Sequence, residues 1–143
     1  MDLQGLRQYF NIGSPEKKYH PKSPKFKRDR IGQFGIGKFA TLSACGSFTV
    51  LSQSRGFAAE VVFDKEEWGE SGDNWHLPMI ILTYDALRGD GTTIILSKLT
   101  KKFNIEDVEE RLIEGVPIRD KDFTVFLNGK RVMSRELREG VIQ

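Results

Sequence analysis

Ile31-Gly32-Gln33-Phe34-Gly35-Ile36-Gly37-Lys38-Phe39-Ala40 sets three glycines among residues with no turn chemistry of their own, directly ahead of a small-residue helical stretch. Glycine tolerates positive φ and lets a backbone come close to a ligand. A glycine-rich turn feeding a helix N-terminus aims several amide N–H groups at one point, and the helix dipole adds positive potential there. That geometry suits a phosphate, with Lys38 as a mobile charge at the same place. The spacing GxxGxGK is not the Walker arrangement, because no Ser or Thr follows Lys38. Nor is it the dinucleotide fingerprint, because charged and proline-bearing residues precede it where a strand is required. A helix start whose glycines only permit tight packing fits the same spacing.

Immediately upstream, Lys17, Lys18, Lys22, Lys25, Lys27, Arg28 and Arg30 face only Glu16 and Asp29, a local net charge of +5 in a chain whose total is +2. Pro15, Pro21 and Pro24 exclude a regular helix or a central strand there. The segment reads as a basic loop. A nucleic-acid contact is open to it, and so is a solvated position near an anionic ligand. Tyr19 and Phe26 are too few aromatics for a base-stacking platform.

The chain has 143 residues, enough for one domain with a real core. Apolar content of 38% and charged content of 29% fit a water-soluble globular protein. No run approaches the roughly 18 apolar residues of a membrane span, and the N-terminus carries no apolar signal core. Cys45 is the single cysteine and can form no internal disulfide. A reducing, cytoplasmic location is the simplest fit. His20 and His76 are isolated, so no metal-ligating or nucleophile-base set can be assembled.

Outward from the glycine turn, helical spacing of Leu3, Leu6 and Phe10 behind Asp2 predicts a first helix. A second helix is expected from about Ile36 to Cys45, stopped by Gly46. The period then changes to two. Ser47 to Ser52 and Phe57 to Phe63 read as a hairpin around Ser54-Arg55-Gly56. Asp64 to Trp75 reads as an exposed acidic connection that Trp68 and Trp75 pin to the core. His76 to Tyr84 is expected as a third strand. Arg88-Gly89-Asp90-Gly91 is a turn, and Thr92 to Leu99 a fourth strand. Asn104 caps an amphipathic helix to Gly115 whose stripe is Ile105, Val108, Leu112 and Ile113. Asn128-Gly129 signals a type I′ turn between Phe123–Leu127 and Lys130–Val132, and Ser134 to Gln143 reads as a tail. The expected fold is α+β, a two-layer arrangement of a mostly antiparallel sheet with helices on one face, in a single domain over residues 1–143.

Three features in order resemble the GHKL ATPases, the superfamily of DNA gyrase B, the ninety-kilodalton heat-shock chaperones, MutL and sensor histidine kinases. Ile31 to Gly37 is similar to the glycine loop that closes the ATP lid in the heat-shock chaperone and MORC-type branch. Asn11-Ile12-Gly13-Ser14-Pro15-Glu16-Lys17 resembles the segment that opens that lid, with residues 14–31 as the lid-like loop. Asp90-Gly91-Thr92-Thr93-Ile94-Ile95-Leu96 resembles the Gly-Thr strand beside the adenine pocket. Lys38 after the loop resembles a prokaryotic branch. The resemblance implies an ATP-binding domain of Bergerat type using ATP with Mg. It implies backbone phosphate contacts from Gly32, Gln33, Phe34, Gly35, Ile36 and Gly37, a charge partner in Lys38, and Thr92 on the adenine side.

The family also carries a catalytic Glu and a magnesium-binding Asn on an earlier helix, and an Asp-x-Gly-x-Gly turn whose Asp holds the adenine amino group. None of these occurs in the sequence. The expectation is the C-terminal portion of such a domain, truncated or completed by a partner chain, and inactive in hydrolysis alone. Two other classes stay open. One is a nucleic-acid-binding module using the basic loop. The other is a non-catalytic interaction domain that forms homo-oligomers through an exposed sheet edge.

Overall fold

A computed structural model describes residues 1–10, 41–71, 76, 78–116, 118 and 123–133. The chain divides into two compact units, Met1–Lys101 and Lys102–Gln143.

The first unit opens with α1 (Leu3–Phe10). Asp2 caps it as expected: its carboxylate accepts from the Gly5 amide at 2.9 Å. Four strands follow, β1 (Cys45–Ser54), β2 (Phe57–Asp64), β3 (Met79–Leu82) and β4 (Gly91–Leu99). They form one sheet in the order β3-β2-β1-β4, with every pairing antiparallel. The β1–β2 turn holds Arg55 and Gly56 at positive φ, as a two-residue hairpin requires.

Period-two alternation then decides which side chains are buried. The register sets Phe48 opposite Phe63 and Leu96, and Val50 opposite Val61 and Ile94, on one face. Leu6 of α1 completes the buried cluster with Cys45, Phe48, Val50, Ala59, Val61 and Phe63, and Met1, Tyr9 and Phe10 pack beside it. Aromatic contacts run through this layer: Phe10 to Phe48 at 6.3 Å, Phe48 to Phe63 at 5.4 Å, and Phe63 to Trp68 at 6.0 Å between ring centres. Burial of this layer is the main stabilising term of the unit.

Three expectations need correction. Asp64 to Trp75 is not simply a connection, because Lys65–Ser71 forms a helix, α2. Asp64 starts it by accepting from the Glu66 amide at 2.9 Å and the Glu67 amide at 3.4 Å, so the acidic run serves as a helix start. Trp68 does reach the core through Phe63, while half exposed; Trp75 lies outside the described residues. Second, the helix expected to reach Cys45 is already over at Leu42. Cys45 is instead the first residue of β1, drawn out by pairing with Leu99 and by the Thr100 amide bonding to the Ala44 carbonyl at 2.9 Å. Third, the strand expected from His76 to Tyr84 is confined to Met79–Leu82, opposite the four residues Ala58 to Val61.

In the second unit, α3 (Ile105–Gly115) has the expected cap, with the Asn104 side chain accepting from the Glu106 amide at 2.9 Å. The hairpin β5 (Phe126–Leu127) and β6 (Lys130–Arg131) is shorter than expected. Asn128 and Gly129 both take positive φ, 49° and 79°, the signature of a type I′ turn. The tail expected from Ser134 onward lies outside the described residues. With three helices and antiparallel sheets, the described residues form an α+β fold with a mostly antiparallel sheet.

Candidate functional site

The residues expected to cradle phosphate, Gly32, Gln33, Phe34, Gly35, Ile36, Gly37 and Lys38, lie outside the described residues, as does the basic loop upstream. Thr92 is described. It is the second residue of β4, and its backbone pairs with Ser52 of β1. The two side chains share a face, and their hydroxyl oxygens lie 2.8 Å apart.

Sequence reasoning missed Ser52. It is 2% exposed, and its Oγ is the hub of a polar cluster at the end of the core face. The Met1 ammonium donates to it and lies 3.4 Å from Thr92 Oγ1. The Met1 carbonyl at 3.3 Å and the Gly91 carbonyl at 3.4 Å accept from Ser52 Oγ. A signal for Ser52 did exist: alternation from Phe48 and Val50 puts a hydroxyl where the pattern calls for an apolar side chain. A buried hydroxyl needs partners, and here they converge from Met1, ahead of α1, and from Gly91 and Thr92 of β4. The pair can therefore serve an N–H donor with two oxygen acceptors, as it does for the ammonium.

The neighbouring residue points to the opposite face and does a different task. Gln53 is 3% exposed. Its Nε2 donates to the Asp85 carbonyl at 2.8 Å and to the Gly89 carbonyl, and its Oε1 accepts from the Asp85 amide at 3.3 Å. One carboxamide thus fixes the loop that leads into Thr92. Asp90 braces the same loop by accepting from the Tyr84 hydroxyl at 2.9 Å and the Arg55 amide at 3.1 Å. The Tyr84 hydrogen bond, then the Arg55 amide, hold the Asp90 carboxyl below its ordinary range. The same bond to Asp90 pushes the Tyr84 phenol above its ordinary value. Arg88 donates to Thr93 Oγ1 at 2.7 Å.

At the other end of the sheet the Lys98 ammonium lies 2.8 Å from Asp64 and 3.4 Å from Glu66. The hydrogen bond from Lys98 holds the Asp64 carboxyl below its ordinary range. This ion pair is remote from Thr92 along β4 and belongs to the junction of β2 with α2. Among the described residues no group of three or more His, Cys, Asp or Glu could hold a metal ion. No helix among the described residues is long and apolar enough to cross a membrane.

Residues 1–92 match the family model for histidine kinase-, DNA gyrase B-, and HSP90-like ATPases. No curated protein matches the chain.

Proposed function

Because the chain belongs to the histidine kinase-, DNA gyrase B-, and HSP90-like ATPase family, we propose that it is the phosphate-loop portion of an ATP-binding domain, nearest the heat-shock chaperone and MORC-type branch. Gly32, Gln33, Phe34, Gly35, Ile36 and Gly37 present backbone amides to the triphosphate, Lys38 adds a charge partner, and residues 14–31 form the lid. Thr92 lines the adenine side, and Ser52 stands behind it. The observation that carries this reading is the Ser52–Thr92 hydroxyl pair at one end of the core face, in which buried Ser52 backs exposed Thr92 and accepts from a nitrogen donor. An adenine amino group or its ordering water presents the same kind of donor.

The catalytic Glu, the magnesium-binding Asn and the adenine-binding Asp of the family are not among these 143 residues. A complete parent domain supplies them and binds Mg-ATP. Without the Glu no side chain orients water at the γ-phosphate, and without the Asp the adenine loses its buried hydrogen bond. The 143-residue chain is thus expected to hold ATP weakly, at about 1 mM or above, an affinity of about 4 kcal/mol or less, and to hydrolyse none.

Amide and methyl NMR of this chain titrated with ATP is the test. Shifts concentrated at Gly32, Gly35, Gly37 and Thr92, lost in Gly35→Ala and Thr92→Val, support the reading. Shifts spread over the basic loop alone, or none at all, overturn the phosphate assignment. Micromolar affinity by calorimetry, or turnover above background, overturns the incompleteness of the site.

A further inference from the structure

A hydrogen bond between two hydroxyls has a direction, and at the Ser52–Thr92 pair the surroundings choose it. A serine hydroxyl has one proton to give and two lone pairs to receive with. The neighbours of the buried Ser52 Oγ differ in what they can do. The Met1 nitrogen can only donate to it. The Met1 carbonyl at 3.3 Å and the Gly91 carbonyl at 3.4 Å can only accept its proton. Thr92 Oγ1, at 2.8 Å, can do either. If the Ser52 proton goes to the carbonyls, the Thr92 proton goes to Ser52, and the buried oxygen uses its donor and both lone pairs. If it goes to Thr92 instead, a lone pair of Ser52 stays empty and neither carbonyl receives the proton. Burial favours the arrangement in which every polar capacity is used.

We infer that Ser52 is a positioning residue that sets nucleotide specificity. By taking the Thr92 proton it leaves Thr92 an acceptor, which admits a purine with an amino group at C6 and disfavours one with an oxo group there. Thr92 Oγ1 already faces a group of the required kind, since the Met1 nitrogen, a donor, lies 3.4 Å from it. Ser52 itself touches no part of the base and works through the direction of one hydrogen bond.

With Thr92 on the adenine side, the reading on which this assignment rests, the adenine amino group donates directly to Thr92 Oγ1. The oxo group of guanine or hypoxanthine would set one acceptor against another. A site built to pair with a polar group discriminates against an analogue that leaves the pair unmade. The discrimination belongs to direct contact, because a bridging water can turn to serve either group. Thr92 is exposed rather than buried, so the preference is moderate, about fivefold.

Titration of the chain with ATP and with inosine triphosphate, which carries the oxo group at C6, followed at Thr92 by NMR, is the experiment. ATP should bind about fivefold more tightly than inosine triphosphate. Ser52→Ala frees the Thr92 hydroxyl to turn and donate, so the preference should vanish, whereas Thr92→Ser keeps the hydroxyl and should keep the preference. A role confined to stability would move both affinities together and leave their ratio alone. The second measurement needs no variant: in the unliganded wild-type chain the Thr92 hydroxyl proton should lie on the Ser52 side and show an NOE to the Ser52 β-protons. Equal affinities in the wild type, a ratio unchanged in Ser52→Ala, or a Thr92 hydroxyl proton directed away from Ser52 each overturns the proposal and leaves the nucleotide site standing. No response of Thr92 to either nucleotide overturns the site and the proposal with it.

Discussion

β1 and β4 are partners along most of their length, from Cys45 opposite Leu99 to Gln53 opposite Gly91, yet they live in different environments. β1 contributes Cys45, Ser47, Phe48, Val50, Ser52 and Gln53 to the buried set, whereas all but one residue of β4 is exposed. The ladder between them is shared, and so is their β-branched, apolar character. What differs is cover: β1 has a strand on each side and α1 over its core face, while β4 has a neighbour on one side only among the described residues. Hydrogen bonding made both strands; packing made only one of them core.

Deleting a core side chain from the inner strand tests that contrast most severely. Phe48→Ala, which removes a ring stacked between Phe10 and Phe63, should cost about 3–5 kcal/mol in denaturant unfolding. Ile95→Ala on β4 should cost about 1 kcal/mol, since only part of that side chain leaves water. Equal losses from the two would break the distinction.

A polar substitution at the end of β1 comes next. Gln53→Leu leaves the Asp85 and Gly89 carbonyls and the Asp85 amide without their buried partner, at a cost of about 2–3 kcal/mol. Hydrogen exchange should accelerate around Asp85 to Gly89 rather than across the sheet. Ser52→Ala should cost about 1 kcal/mol and loosen Met1 and Thr92 instead. The two neighbours thus report on opposite faces.

Gly46 probes where the two strands crowd each other. A Cβ there would come within 3.1 Å of the Lys98 Cβ, and Lys98 itself has a φ of 51°, unfavourable for a side chain with a Cβ. Gly46→Ala should cost about 1 kcal/mol, read as a shift in unfolding midpoint.

The smallest effect concerns pH and the loop ahead of β4. Asp90 is depressed below 3.8, so its contribution is present above that value and is lost as pH falls through its lower folded value. Tyr84 is raised above 10.0, so its contribution is present below that value and is lost as pH rises through its higher folded value. The Tyr84–Asp90 brace should hold between these limits and release outside them, as seen by NMR titration. Tyr84→Phe should remove the alkaline arm and return the Asp90 carboxyl toward its ordinary value.

Much of the architecture was legible along the chain because its causes are local. Asp2 and Asn104 cap helices through their own amide neighbours, and Asn128-Gly129 makes the same turn wherever two strands flank it. Lys65–Ser71 was read as a connection because glycine and acidic content obscured a helix start that Asp64 supplies. The boundary at Cys45 was misjudged because its strand pairing depends on Leu99, more than fifty residues away. The strand that carries Thr92 was legible from its β-branched run, but the pairing of its hydroxyl with Ser52 was not. A lone serine in a strand carries no motif, and its partners come from Met1 and from the start of β4.

The sequence by itself determined the α+β class, the order of the four strands of the main sheet, the helix caps at Asp2 and Asn104 and the family, because each rests on neighbours in the chain or on ordered motifs. Only the tertiary structure decided that Ser52 meets Thr92, that Gln53 clamps the loop behind them, and that among the described residues β4 rather than β1 is left exposed. Those facts depend on register between distant strands and on which surfaces are covered, quantities set by packing in three dimensions.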